Sequence, residues 1–105
     1  MEEMKVLRTV EVPAYKFEAD NGDDYHYSIT VVNGEIDEVS NWAARGFYEK
    51  KKGDPDFAES CYDAIRFIVD HKPTELKNIY HALSEGPMKA FCRKILAEKV
   101  AELQF

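Results

Sequence analysis

Residues 25–39 read YHYSITVVNGEIDEV and contain the strongest local structural signal in the chain. Apolar and polar residues alternate here, with the apolar positions at Tyr25, Tyr27, Ile29 and Val31. This period of two is typical of a strand with one buried face. Asn33-Gly34 follows at once, and the pair suits the two positive-φ positions of a type I′ turn. We therefore predict a β-hairpin over residues 25–42.

The flanks of the hairpin extend this interpretation. Residues 5–12 are rich in valine and end at Pro13, which cannot donate to a central ladder, so they predict an edge strand that residues 15–17 prolong. The run DNGDD at residues 20–24 marks the reversal into the hairpin. At the other end, Trp42 either caps the core or lies at a partner surface, and we favour the core. Residues 43–53 have no clear period and predict an exposed, mobile connection.

The second half of the chain predicts three helices. Asp54 supplies an N-cap oxygen and Pro55 suits the first helical position, so the first helix runs from there to about His71. A second helix runs from about Thr74, and a third runs over residues 88–103. The inward positions, spaced by three and four, are Phe57, Cys61, Ala64, Ile65 and Ile68, then Leu76, Ile79, Tyr80 and Leu83, then Phe91, Cys92, Ile95, Leu96, Val100 and Leu103. The fold class is therefore α+β, an antiparallel sheet packed against about three C-terminal helices.

Length and composition bound the class of protein. The chain has 105 residues, 45% of them hydrophobic, which fits one domain over residues 1–105 with one core. No apolar run reaches the roughly 20 residues of a membrane span, and the start MEEM lacks the layout of a signal peptide, so we expect a cytoplasmic protein and no membrane partner. The net charge of −6 disfavours nucleic acid. Its oligomeric state is left open.

Negative charge gathers in the strand half of the chain. This favours solubility, or an acidic interaction module or inhibitor whose protein partner is basic. The carboxylates concerned are Glu2, Glu3, Asp20, Asp23, Asp24, Glu35, Asp37 and Glu38.

No pattern of reactive residues predicts an enzyme, a metal or a cofactor. The chain has neither a glycine-rich phosphate loop nor a G-x-S-x-G turn. Cys61 and Cys92 each lie on an apolar helix stripe, where a small core side chain would serve as well. The spacing of His26, His71 and His81 forms no short ligand pair with them. The acidic run near residue 23 more simply solvates a turn.

The order of elements resembles the NifU/IscU family of iron–sulfur cluster scaffolds. Asn21-Gly22-Asp23 stands where the family has Cys-Gly-Asp, Gly34-Glu35-Ile36 matches its Gly-x-Ile, and Gly46-Phe47 falls near its Gly-Cys. The stretch PMKAFC at residues 87–92 is similar to its third-cysteine helix. Of the family's ligand positions only Asp23 and Cys92 remain. Because clusters are held by thiolates, the resemblance implies a non-enzymatic, scaffold-like protein-binding domain without most cluster ligands.

A second resemblance points to the same cysteine. GPMKAFCR at residues 86–93 resembles the Gly-Pro-x-Lys-x-x-Cys-Arg stretch of the DsrC/TusE sulfur-relay proteins, and the segment from Gly34 to Trp42 resembles their hairpin. This resemblance implies a thiol sulfur carrier that uses Cys92 as nucleophile. Cys92 and Asp23 are therefore the candidate functional residues.

Overall fold

The chain folds as four strands followed by three helices. In this computed structural model residues 14–22, 24–43 and 46–103 are described, with side chains as far as residue 99. The strands are β1 Ala14–Asp20, β2 Tyr25–Val32, β3 Glu35–Ala43 and β4 Gly46–Lys51; the helices are α1 Phe57–His71, α2 Glu75–Ala82 and α3 Pro87–Leu103. The α+β prediction is confirmed, and the predicted strand over residues 5–12 lies outside the described residues.

The four strands form one antiparallel sheet in the order β1-β2-β3-β4. The β2–β3 turn is the predicted hairpin turn, since φ is 52° at Asn33 and 83° at Gly34. Ser84, in the loop before α3, donates its backbone N–H to the carbonyl of Gly34 at 2.9 Å. A Cβ added to Gly34 would lie 1.9 Å from Ser84 Oγ. Glycine is thus required here both by the turn and by the approach of the loop.

A bulge in β3 reverses the facing of its second half. Val31 pairs with Ile36 but Thr30 pairs with Glu38, which leaves Asp37 as an extra residue. Ile36 faces the helices before the bulge, and after it the odd-numbered positions, beginning with Val39, face them instead. Trp42 therefore points away from the core, and its side chain is 58% exposed. The prediction that Trp42 caps the core is wrong for this reason.

The helices described here cover one side of the sheet. α1 packs across β1, β2 and β3, α2 packs against β1, and α3 packs mainly against the other two helices. Their shared core explains why the three-and-four spacing of the helices predicted most of the inward residues. The core comprises Phe17, Ala19, Ile29, Val31, Ile36, Val39, Cys61, Ala64, Ile65, Ile68, Val69, Leu76, Ile79, Leu83, Cys92 and Ile95.

The segment predicted as a mobile connection contains strand β4. Gly46–Lys51 pairs with β3 over six positions, from Ala43 opposite Gly46 to Glu38 opposite Lys51. Its residues show no apolar alternation because β4 is an edge strand that is largely exposed on both faces. Lysines at such an edge discourage further pairing. The prediction of an irregular connection over residues 43–53 is therefore wrong for residues 46–51.

Helix α1 begins later than predicted. The carboxylate of Asp54 accepts the backbone N–H of Lys51 at 2.7 Å, so it closes a turn after β4 and does not cap the helix. Pro55 lies in that turn. Asp56 is the N-cap residue, with φ at 62° and no side-chain cap hydrogen bond. The helix then starts at Phe57 and ends at His71, the predicted end.

The inward stripe of α3 is narrower than predicted. Cys92 and Ile95 are buried and Phe91 is half-buried, but Leu96 is 39% exposed. Because α3 packs mainly on two helices and not across the sheet, residues on the flank of its stripe remain in solvent. The inward assignment of Leu96 is thus wrong, and the side chains of Val100 and Leu103 lie outside the described ones. Among the helices in the described ranges, none combines the length and apolarity needed to cross a membrane.

Candidate functional site

Cys92, on which both resemblances converge, lies in the core. Its side chain is 0% exposed, and burial raises the pKa of its thiol to about 11. Cys61 is also a free, buried cysteine, and burial raises its pKa to about 11 as well. Because the thiolate is the nucleophile and the metal ligand, burial and the raised pKa both disfavour reaction of these thiols at neutral pH. This placement agrees with the core-packing interpretation.

The second candidate, Asp23, lies outside the described residues. Its neighbours shape the β1–β2 turn: Asp20 Oδ1 accepts the backbone N–H of Gly22 at 3.2 Å, and Asn21 Oδ1 accepts that of Tyr25 at 2.8 Å. These two hydrogen bonds stabilise the β1–β2 turn, where the sequence predicted a chain reversal. A role for Asp23 beside Cys92 stays a prediction.

The three histidines lie on three different elements. His26 Nε2 lies 3.2 Å from Glu18 Oε1 on the sheet. His71 Nδ1 lies 2.9 Å from the carbonyl of Phe67, one turn back in α1. His81 is in α2. Within the described ranges no three histidine, cysteine or carboxylate side chains come together as a metal site would require.

One side of the sheet faces away from the helices, and we call it the open face. No described element covers it. Side chains alternate along each strand, so the strand register defines which of them belong to this face. They include Lys16, Glu18 and Asp20 of β1, His26, Ser28 and Thr30 of β2, Glu38, Ser40 and Trp42 of β3, and Phe47, Glu49 and Lys51 of β4.

Trp42 and Phe47 form an aromatic pair on the open face. They are direct cross-strand neighbours on β3 and β4, with ring centroids 5.1 Å apart at 69° in an edge-to-face arrangement. Such pairs contribute about 0.5–1.5 kcal/mol beyond their buried area. Nevertheless Phe47 is 52% exposed and Trp42 slightly more so. The pair is therefore a preformed apolar surface that remains available to solvent.

The charges around this pair are mostly negative. The open-face residues named above include four carboxylates and two lysines, and each lysine lies beside a glutamate: Lys16 Nζ is 3.8 Å from Glu18, and Lys51 Nζ is 3.7 Å from Glu49. Both lysines lie in the row of cross-strand neighbours that passes through Glu38, four residues before Trp42 on β3. All these ion pairs are solvent-exposed, so each holds its partners only weakly. The carboxylates can therefore exchange these lysines for other cations.

A hydrogen bond between two serine hydroxyls joins β2 to β3 next to the aromatic pair. Ser28 and Ser40 are cross-strand neighbours, and their Oγ atoms lie 2.6 Å apart. Ser28 is buried although it lies on the open face. Ser40 stands two residues before Trp42 on the same face. The hydrogen bond joins β2 to β3 directly beside the tryptophan and holds its strand in register.

A groove of about 300 Å³ lies at the other end of the sheet. Its walls come from the β2–β3 turn, the start of α1 and the loop before α3, with Phe57, Leu83 and Met88 among the apolar lining residues. Lys52 and Glu35 form an ion pair at its mouth. Cys61 also contributes to the lining, although its side chain is almost fully buried. Ser84 and Glu85 add polar groups to this largely apolar groove.

Sequence reasoning missed Phe47 and the exposure of Trp42. Phe47-Tyr48 ahead of consecutive lysines is a signal of an edge strand that could have been used, since aromatic residues favour strands and lysines protect edges. The spacing of three from Ile36 to Val39 could have revealed the bulge, because regular strands place buried residues at even spacing.

Comparisons of the chain with protein families, curated proteins and solved structures found no match.

Proposed function

We propose that this chain is a non-enzymatic, scaffold-like protein-binding domain whose partner docks on the open face. The observation that carries the proposal is the exposed Trp42–Phe47 pair, held by the hairpin and its hydroxyl bond. Aromatic residues dominate the energetic centres of protein interfaces. Because the two rings already pack against each other, they present such a centre at a reduced entropic cost of binding.

The connection to iron–sulfur or sulfur handling rests on the resemblance of residues 20–36 and 86–93 to those families. Burial of Cys92 supports the scaffold hypothesis over the sulfur carrier, because a carrier thiol needs thiolate character and access to its donor. A cytoplasmic location fits the two free thiols, since disulfides persist mainly in oxidising compartments.

Selection of random displayed peptides tests the proposed docking surface. Peptides are selected on the wild-type protein and counter-selected on Trp42→Ala, and a matched selection uses Leu96→Ala, which removes another exposed apolar side chain on α3. We expect peptides that bind wild type and Leu96→Ala alike but lose about tenfold or more on Trp42→Ala. A selection that yields only peptides indifferent to Trp42 would contradict the proposal.

A further inference from the structure

The charge pattern of the open face indicates the chemistry of its partner. Glu18, Asp20, Glu38 and Glu49 outnumber the two lysines on this face, and the whole chain has a net charge of −6. Glu49 follows Phe47 on the same face of β4, and Glu18 reaches His26, the cross-strand neighbour of Trp42. Glu18 and Glu49 thus lie in the cross-strand row next to the one that contains the aromatic pair. A cationic partner is complementary to this arrangement.

Aromatic rings on this chain already accept cations. The guanidinium of Arg66 lies 5.4 Å from the ring centroid of Phe91, and Lys89 Nζ lies 4.6 Å from that of Tyr80. Across residues 14–22, 24–43 and 46–99 no cation lies over the Trp42 ring in this way. Indole is the best ring for such contacts. The exposed Trp42 ring is therefore suited to bind a cation.

We propose that the open face binds a cationic protein segment, with an arginine or lysine side chain over Trp42 and further basic side chains on Glu49 and Glu18. This inference rests on the proposed docking function and adds the class of partner. The lysines now beside these glutamates do not block it, because exposed ion pairs are weak and an incoming guanidinium replaces an ammonium with a planar, bidentate donor.

The test titrates the full chain with a synthetic peptide of alternating arginine and serine, and with the matched peptide of glutamate and serine. Trp42 is the only tryptophan, so its fluorescence reports directly from the proposed site. We expect the arginine peptide to change this emission and to bind with an association rate that falls as salt is added. The glutamate peptide is expected to leave the emission unchanged.

Variants then locate the binding by calorimetry. Trp42→Ala is expected to weaken the arginine peptide about tenfold, with Phe47→Ala as a second variant in the same cluster. Glu49→Gln is expected to slow association, whereas Glu59→Gln, an equal charge change on exposed α1, is expected to leave it unchanged. Circular dichroism confirms that each variant is folded.

The outcomes separate this inference from the function on which it rests. Equal affinity of wild type and Trp42→Ala for the arginine peptide would overturn the inference of a cationic partner. Selection of acidic or apolar peptides that depend on Trp42 would also overturn it, but the proposal of protein binding at the open face would then stand. A Trp42-dependent dimer in sedimentation would assign the face to a second copy of the chain and overturn the inference. Emission shielded from added quenchers in the free protein would show a covered face and contradict both proposals.

Discussion

The thiol of Cys92 should react with iodoacetamide at pH 8 at least about a hundredfold more slowly in the folded protein than in the unfolded chain. The pKa of about 11, against 9.0 for an unperturbed thiol, lowers the thiolate fraction at this pH from about a tenth to about a thousandth. The side chain is also fully buried, so alkylation further requires local opening of α3 or global unfolding.

Mass spectrometry of quenched time points measures the rate at each cysteine separately. Cys61 is the internal control, because it is equally buried with the same pKa of about 11. Urea-unfolded protein supplies the reference rate. Protection of both thiols, lost together as the protein unfolds, is the expected result. Labelling of Cys92 at the unfolded rate while Cys61 stays protected would refute the reasoning and restore the sulfur-carrier hypothesis.

Three further predictions concern stability, each measured by urea denaturation. Gly34→Ala should lower the free energy of unfolding by roughly 1–2 kcal/mol because of its positive φ, and further because the new Cβ clashes with Ser84. Gly53→Ala is the control, since Gly53 has φ at 102° but open space around its Cβ, and it should show only the first effect. Equal losses in the two variants would argue against the close approach of Ser84 to Gly34. The Cys92 thiol keeps its proton up to about pH 11 in the folded protein but loses it above about pH 9 in the unfolded chain, so this group alone should lower the free energy of unfolding by about 1.4 kcal/mol per pH unit in that window. Cys61 has the same raised pKa and adds a similar decrease, so the Cys92→Ala variant should show a shallower slope that is still negative. Ile95→Ala should lower the free energy of unfolding by about 2–5 kcal/mol, and Leu96→Ala, at the neighbouring exposed position, should lower it by well under that. Similar losses in the two variants would argue against the narrow inward stripe of α3.

Local patterns were enough to predict the elements that bury one face. The alternation from Tyr25 to Val31 and the pair Asn33-Gly34 predicted the hairpin because period and turn geometry are both local properties. The spacing along α1 predicted Cys61 and Ile65 as core residues for the same reason. Edge strand β4 was missed because a strand exposed on both faces leaves no alternation to read.

The candidate surface depended on information that no single segment contains. The outward direction of Trp42 follows from the extra residue Asp37, which shifts the parity of β3 after Ile36. Its contact with Phe47 needs β4 to pair with β3.

The amino-acid sequence by itself determined that strands precede three helices, the hairpin turn and the burial of both thiols, since each follows from spacing between neighbouring residues. The tertiary structure decided which side of the sheet the helices cover, and hence that an aromatic pair among carboxylates faces solvent. The physical reason is that a period of two distinguishes the two faces of a strand, whereas only the packed helices and the bulged register determine which residues each face presents.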